Sequence, residues 1–489
     1  MTPRAIFRKI GRLALSSGNL KERSRGERQR GSGTAAQEPI TFDNLPVELV
    51  REILDYLLPS SALPFALTCR RFHSLAIPVL YRRIHITDHD FKRFVNEKVS
   101  VRDPRLVNVR DVRISGDFNR TLRLSWGGHD FQKLFQAFPN LQTLDTTRAN
   151  PCMGNWEQFL DILSILPPTA QELRVKLWRF DGSLQSWRSA PTFPSIRRLA
   201  LEFDEGHSIR SVYDTDSRFL PPTPSMNFPA LHTLAIRFSN VHAEPAWFFR
   251  DVHFPALRDF AFGDAFVLNG DDGAVGAFAR FLARHSGTLR ALDVRLFNAT
   301  PAAGEPKRVE DMRAALRGIP LRFERLCMDP PAVAAFAGVA LEGLEQLDVA
   351  HCLHKRGSRA CIADLSGVVC PAVRRLTMRP CVLEKQAQFP WMVSFPVKLY
   401  DLHRVFPELE TLELCMHADI NIARTVEVLN SFEYSLLQCR GLETVAVSGD
   451  GEHVERFTLS ASPGRPGKRK LRKVVEARTS GLMRRLSGL

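Results

Sequence analysis

The sequence of 489 residues has no run of about 20 apolar residues, and its longest stretch without a formal charge, residues 219–236, is interrupted by four prolines. A transmembrane helix requires such a run, so the sequence predicts no membrane span. Its nine cysteines are odd in number, contain no C-x-x-C pair and follow no secretory signal peptide. We therefore expect free thiols in a reducing compartment, the nucleus or the cytoplasm.

The motifs of the common enzyme classes are also missing. There is no Walker A loop, no G-x-S-x-G elbow and no H-E-x-x-H helix. The glycines at 270, 273 and 276 do not have the spacing of a dinucleotide turn. The cysteines between residues 352 and 381 lie nine to eleven apart, whereas zinc ligands pair two to five residues apart. The sequence therefore predicts a protein that is not an enzyme, with no catalytic residues, no cofactor and no metal.

The body of the chain carries no excess charge of either sign. The net charge of +14 is the sum of +6 in residues 1–38 and +8 in residues 465–489. A basic groove for nucleic acid in the body is therefore excluded, and only the tails could contact phosphates. The first twenty residues can be drawn as a basic amphipathic helix, which leaves mitochondrial targeting as an alternative. The basic cluster at 464–474 is of the kind that nuclear import factors bind.

Near the N-terminus, a short stretch is dense in apolar residues. Leu49, Val50, Ile53, Leu54 and Leu57 recur at helical spacing, and two further short apolar segments follow before residue 78. The sequence thus predicts three short helices, then a strand at 82–87. A module of about 45 residues rarely obtains more than about 3–5 kcal/mol from its own core. The surplus apolar residues of its first helix, Leu45, Leu49 and Ile53, are therefore expected to face a partner. Packing of the same residues on the rest of the chain is the alternative.

From residue 104 onward, one frame recurs: an apolar residue, two others, an apolar residue, one other, and an apolar residue. The twelve copies have a mean period of about 30 residues. They are Val109-Val112-Ile114, Leu141-Leu144-Thr146, Ala170-Leu173-Val175, Ile196-Leu199-Leu201, Leu231-Leu234-Ile236, Leu257-Phe260-Phe262, Leu289-Leu292-Val294, Phe323-Leu326-Met328, Leu344-Leu347-Val349, Val373-Leu376-Met378, Leu409-Leu412-Leu414 and Leu442-Val445-Val447.

This frame resembles that of a degenerate leucine-rich repeat array, although its spacing is longer and more irregular. Five copies follow a Phe-Pro pair, where a proline ends the preceding segment without removing a ladder donor. The predicted fold class is α/β: a short all-α module followed by a curved solenoid with a parallel concave sheet. An unrelated α/β fold with several parallel strands is the alternative.

The stretch "LPVELVREILDYL…LTCRRFHSLAIPVLYRRI" resembles the F-box, especially the form found in many fungal F-box proteins. The resemblance covers about residues 40–86 and includes Cys69-Arg70-Arg71-Phe72, where many members have tryptophan in place of Phe72. It implies docking onto the Skp-type adaptor of a cullin–RING ubiquitin ligase. The implied adaptor-binding residues are Leu45, Pro46, Glu48, Leu49, Ile53, Leu54, Leu57 and Phe72.

The repeat array would then present a protein substrate on its concave face. Residues expected on that face are Arg198, Arg237, Asp259, Asp293, Arg295, Asp348, Arg375, Arg379 and Glu413. Their mixed signs favour a protein ligand over a nucleic-acid backbone. The candidates for substrate binding are Arg237, Asp293, Arg295, Arg375 and Arg379.

The predicted domains are a disordered basic tail at 1–39, the F-box at 40–87, the repeat solenoid at 88–460 and a basic C-terminal tail at 461–489. The expected function is that of a substrate-recognition subunit of a Skp–cullin–F-box ubiquitin ligase. The alternatives are a repeat scaffold without a ligase role, and a nucleic-acid-binding or organelle-associated protein that acts through its tails.

Overall fold

The computed structural model describes the chain in segments. They are residues 45–57, 59–87, 90–91, 104–117, 128–150, 156–177, 192–203, 228–238, 249, 252–263, 272–294, 305–336, 339, 343–349, 369–378, 381–382, 393–394, 397, 399–415, 433–448, 454–461 and 469–474. The chain divides into two compact units, of which the first holds residues 1–154 and 161–176 and the second holds 155–160 and 177–489. Each unit is described by itself.

Three short helices open the first unit: α1 (Val47–Tyr56), α2 (Pro59–Ala66) and α3 (Arg70–Leu80). They enclose a small core of their own, made by Val50, Leu54, Ala62, Ala66, Phe72, Ala76 and Val79. The rings of Phe65 and Phe72 lie 4.3 Å apart between centroids and join α2 to α3. The predicted helical module is therefore present, and its core is built from residues of the three helices alone.

The first unit continues directly from these helices into a parallel sheet. Its remaining elements are β1 (Arg83–Thr87), β2 (Asp111–Asp117), α4 (Gly128–Ala137), β3 (Thr143–Asn150), α5 (Trp156–Ser164), which contributes residues to both units, and β4 (Glu172–Leu177). The strands pair in chain order, β1 with β2, β2 with β3 and β3 with β4. The carbonyl of Arg82 accepts the N–H groups of Arg110 and Asp111, each at 2.9 Å. The end of the helical module is thus tied to the first strands.

The second unit repeats the same arrangement over a longer stretch of chain. Its elements are β5 (Arg198–Phe203), β6 (Thr233–Phe238), β7 (Asp259–Gly263), α6 (Asp272–His285), β8 (Ala291–Val294), α7 (Glu305–Leu316), β9 (Arg325–Met328), α8 (Pro330–Phe336), β10 (Gln346–Val349), β11 (Arg375–Met378), β12 (Cys381–Val382), β13 (Val393–Ser394), α9 (Leu402–Val405), β14 (Thr411–Cys415), α10 (Glu433–Gln438), β15 (Thr444–Ser448), β16 (Val454–Ala461) and β17 (Arg469–Val474). Strands β5 to β11 pair in chain order and in parallel, followed by β14 and β15.

The repeated frame forms the core of both units. All three positions of all twelve copies are buried, and Thr146, the one polar member, is fully buried. Within each unit the second residue of a copy is the register partner of the second residue in the next, as in the series Leu292, Leu326, Leu347 and Leu376. Because side chains alternate across a strand, the intervening residues point to the other face. The predicted fold class, a short helical module followed by a parallel, solenoid-like α/β sheet, is confirmed.

The C-terminal end of the second unit differs from the repeat. β16 pairs antiparallel with β15, and β17 pairs antiparallel with β16. The segment 461–489, assigned as a tail from its charge, therefore contains regular structure at Arg469–Val474. The basic run includes Leu471, which lies opposite Leu459. Lysine and arginine are common in the last strand of a sheet, where charge opposes pairing with another chain.

None of the helices in the described segments is long and apolar enough to cross a membrane.

Candidate functional site

Helix α1 carries two apolar stripes, and only one of them belongs to the core. Val50 and Leu54 are buried in the module, whereas Leu49 and Ile53 are 47% and 39% exposed and Tyr56 is 84% exposed. Residues 49, 53 and 56 follow the i, i+4, i+7 spacing that places side chains on one side of a helix. The exposed set is called here the outer stripe. Its burial in a partner would remove apolar surface that the protein's own fold leaves in water.

The eight residues predicted to bind an adaptor separate into three groups in the structure. Pro46, Glu48, Leu49 and Ile53 are exposed. Leu45 and Leu57 are partly buried and pack against the core of the module, and Leu54 and Phe72 lie within that core, at 1% and 4% exposure. Tyr56 was not among the residues predicted to bind the adaptor, although its helical spacing from Leu49 and Ile53 could have identified it.

Local hydrogen bonds fix the position of the outer stripe. The Arg71 guanidinium donates to the carbonyl of Leu45 at 2.7 Å, which ties the start of α3 to the residues just before α1. At the same end of α3, the Cys69 sulfur accepts the N–H of Phe72 at 3.5 Å and caps the helix. These two hydrogen bonds do not involve the exposed apolar residues, which remain available for contact with another protein.

The second candidate surface is the side of the β-sheet in the second unit that is opposite to the buried frame. Among the predicted substrate-binding residues, Arg237 on β6, Asp293 on β8 and Arg375 on β11 are exposed there. Arg295 and Arg379 lie outside the described residues. With neighbouring strands about 4.8 Å apart, β6 and β11 are roughly 24 Å apart, so Arg237 and Arg375 do not form one compact site.

Register places the charges of this face in two rows across the strands. Arg325 on β9 and Arg375 on β11 are both register partners of Gln346 on β10. Two residues further along each strand lies a second row. Asp293 and Asp348 are both register partners of Cys327. Asp348 and Glu413 are both register partners of Thr377. Arg325 was not among the residues expected on this face, although it occupies the same place in its frame as Arg375.

Charges on the sheet of the first unit are largely satisfied within the protein. Arg83 pairs with Asp111 at 3.0 Å and Arg113 pairs with Asp145 at 3.2 Å, each across neighbouring strands. Asp145 is 7% exposed, and its other carboxylate oxygen accepts both the N–H and the hydroxyl of Thr147, at 3.1 and 2.7 Å. These residues stabilise the sheet and leave few charges free for a ligand.

A cavity of about 350 Å3 lies within the first unit, between the helical module and the turns that precede the strands. Asp55, Arg82, Arg110 and Asn140 line it, together with other polar side chains but no serine, cysteine or histidine. The Thr169 hydroxyl in its wall donates to the carbonyl of Leu141 at 2.8 Å. The described lining therefore contains a single hydroxyl, that of Thr169, and this hydroxyl is bonded to the main chain.

The part of the chain that the structure describes contains no candidate metal site. No group of three or more His, Cys, Asp or Glu side chains there could hold a metal ion. The cysteine-containing stretch 351–368 lies outside that part. Cys370 lies within it and is buried, and burial raises the pKa of its thiol to about 11. A thiol of this kind stays protonated near neutral pH and is a poor nucleophile.

Comparison with known proteins identifies one part of the chain. Residues 42–87 match the family model described as F-box-like. No curated protein matches the chain. The matched range contains the three helices, the outer stripe and β1, so the chain carries an F-box-like domain at residues 42–87.

Proposed function

We propose that this protein is the substrate-recognition subunit of a Skp–cullin–F-box ubiquitin ligase and is not itself an enzyme. The F-box-like domain binds a Skp-type adaptor, and the sheet of the second unit holds a protein substrate. The observation that carries the proposal is the outer stripe on α1. Leu49, Ile53 and Tyr56 form an exposed apolar surface on a domain whose family binds such adaptors.

The fold is consistent with separate surfaces for adaptor binding and substrate binding. The core of the helical module contains only residues of α1 to α3, so adaptor binding by the outer stripe does not require any change in the repeat frame. At the same time β1 pairs with β2 over five residues, which links the module to the sheet without a flexible linker at this point. This pairing holds the helical module in a defined relation to the sheet of the first unit.

The adaptor contact is tested by co-purification of tagged full-length protein with adaptor and cullin. Ile53→Lys places a charge in the apolar contact, where an unpaired charge is costly to bury, and we expect loss of both partners. Asp55→Lys is the matched control, because it adds the same side chain to the same helix at an exposed position outside the outer stripe. Circular dichroism of both variants verifies that the helices remain folded. Wild-type recovery of the adaptor by Ile53→Lys would contradict the proposal.

The same experiment separates the ligase role from its alternatives. Recovery of adaptor and cullin together supports the ligase subunit. Recovery of adaptor without cullin indicates a scaffold that uses the F-box-like domain outside ubiquitylation. Recovery of neither partner, with binding to other molecules lost on deletion of residues 1–38 or 465–489, indicates a protein that acts through its basic tails.

A further inference from the structure

Charge alternates strand by strand across one part of the exposed sheet face in the second unit. In spatial order the residues are Asp293 on β8, Arg325 on β9, Asp348 on β10, Arg375 on β11 and Glu413 on β14. We call this set the alternating face. The three acids share one register row, and the two arginines share the row two residues earlier.

The spacing of these charges follows from sheet geometry. Strands lie about 4.8 Å apart, so successive acids, which are two strands apart, are separated by about 10 Å. The two arginines have the same separation from each other. A rise of about 3.3 Å per residue places the basic row about 7 Å from the acidic row. The alternating face thus presents three negative positions and two positive positions at a regular interval.

Several of these charges are not used by the protein's own structure. Asp293, Arg325 and Arg375 are exposed, and their side chains form no ion pair or hydrogen bond with any residue that the structure describes. Comparable charges elsewhere do pair, as Arg374 does with Glu410 at 3.4 Å and Arg290 with Glu324 at 3.8 Å. Asp293, Arg325 and Arg375 are therefore the charges of the alternating face that the described structure leaves for another molecule, whereas Glu413 also accepts a hydrogen bond from the Cys415 thiol at 3.9 Å.

We propose that the alternating face binds an extended segment of the substrate protein in which a lysine or arginine recurs at every third residue, with an acidic residue after the first two of these. This proposal rests on the receptor function proposed above. An extended polyproline II segment has three residues per turn and rises about 3.1 Å per residue, so side chains three apart point the same way about 9.3 Å apart. That interval matches the interval between the acids.

Charge complementarity favours this peptide over a nucleic acid or a uniformly acidic peptide. Cations at positions i, i+3 and i+6 lie opposite Asp293, Asp348 and Glu413. Acidic residues at i+1 and i+4 fall between them, on the strands that carry Arg325 and Arg375. A nucleic-acid backbone would be repelled by the acidic row, and a uniformly acidic peptide would satisfy only the arginines.

The test uses purified full-length protein and fluorescence anisotropy at low salt. The probe is a labelled nine-residue peptide with Lys at positions 1, 4 and 7, Glu at 2 and 5, and Pro elsewhere. A second peptide of the same composition has Lys at 1, 5 and 9, which breaks the three-residue interval. We expect the second peptide to bind about tenfold more weakly, because two of its three cations lose their acids. Equal affinities for the two peptides would overturn the proposal.

The contribution of the acidic residues in the alternating face is tested by replacing them with uncharged amides. The double variant Asp293→Asn with Glu413→Gln is expected to weaken binding of the first peptide about tenfold, and added salt should weaken the wild-type interaction more than that of the variant. Glu345→Gln is the matched control, since Glu345 is exposed just before β10 but lies outside the alternating face. An unchanged affinity for the double variant, or tighter binding of a peptide with Lys and Glu exchanged, would also overturn the proposal.

Co-purification of the adaptor with the wild-type protein and these variants tests the receptor function separately from peptide binding by the alternating face. If the wild-type chain recovers adaptor and cullin but does not distinguish the peptides, the receptor function stands and the assignment of the alternating face is wrong. If the peptides bind as expected and the adaptor is not recovered, the ligase role is wrong.

Discussion

The imidazole of His285 accepts a hydrogen bond from the main-chain N–H of Phe254 at 2.9 Å, through Nε2. Its Nδ1 lies 2.8 Å from the carbonyl of Phe281, so Nδ1 carries the proton and donates. The ring is 1% exposed at the end of α6 and joins this helix to the turn before β7. The neutral tautomer is therefore built into the fold, and protonation of Nε2 would break the bond to Phe254.

A pH dependence of stability follows. Burial, with smaller contributions from His253 and Arg284 and against the opposing effect of the hydrogen bond to Phe281, lowers the pKa of His285 from 6.5 to about 4. Since the folded pKa lies below the unfolded one, this stabilisation is complete above pH 6.5 and is lost as the pH falls toward 4. We expect the free energy of unfolding to decrease by up to about 3 kcal/mol over that range. Urea unfolding at several pH values measures it.

Two variants isolate the contribution of His285. His285→Phe should be less stable at pH 7, because the N–H of Phe254 loses its acceptor, but its stability should vary less between pH 7 and pH 4. His403→Gln removes an exposed histidine on α9 and should retain the wild-type profile. A profile for His285→Phe as steep as that of the wild-type protein would contradict the prediction.

Substitution of core residues in the F-box-like domain should weaken adaptor binding only because it destabilises the domain. Phe72 is 4% exposed and packs on Phe65, so Phe72→Ala should destabilise the domain by about 3–5 kcal/mol. Ile53→Lys should retain the wild-type melting temperature while it abolishes adaptor binding. Thermal denaturation followed by circular dichroism distinguishes the two. A fully stable Phe72→Ala protein that fails to bind the adaptor would instead indicate a direct contact.

The ion pair of the buried Asp145 with Arg113 should contribute more to stability than the exposed pair of Arg83 with Asp111. Asp145→Ala leaves the N–H of Thr147 and the Arg113 guanidinium without their acceptor, and we expect a loss of about 2–3 kcal/mol. Arg83→Ala removes a pair in which the arginine is 61% exposed and should change stability by less than about 0.5 kcal/mol. Chemical denaturation of both variants compares them, and equal losses would be inconsistent with the burial of Asp145.

Localisation through the C-terminal basic cluster is a separate prediction. Substitution of Lys470, Arg472 and Lys473 by serine in the full-length fluorescent fusion should reduce nuclear accumulation, since import factors bind such clusters. Substitution of Arg23, Arg25 and Arg28 in the N-terminal segment is the control and removes the same charge. An unchanged distribution of the first variant removes the import hypothesis. Relocation of the control variant alone would favour targeting by the N-terminal segment.

The local pattern of apolar residues was enough to predict the repeat core. In each copy the last two positions of the frame alternate as residues of a strand do, and the first position lies in the turn just before the strand. All three positions are buried in every copy from Val109 to Val447. The three short helices were predictable for the same reason, because their spacing is helical. The F-box resemblance was equally local, since it depends on consecutive residues such as Leu45-Pro46 and Cys69-Arg70.

The position of apolar residues on α1 was decided by tertiary packing. Leu49, Val50, Ile53 and Leu54 are alike in chemistry and all follow helical spacing, and the sequence marked Leu49 and Ile53 as partner-facing only through the expectation of a docking surface. The packing of α2 and α3 against one side of the helix buries Val50 and Leu54 and leaves Leu49 and Ile53 outside.

The charged face was likewise decided by register, which no single repeat contains. Asp293, Asp348 and Glu413 are 120 residues apart from first to last in the sequence, and they form one row only because hydrogen bonding aligns β8 to β14 residue by residue. The pairing of β1 with β2, which attaches the F-box-like domain to the sheet, has the same origin. Local periodicity determines which side chains are buried within a strand, whereas the hydrogen bonds between strands determine which exposed side chains become neighbours.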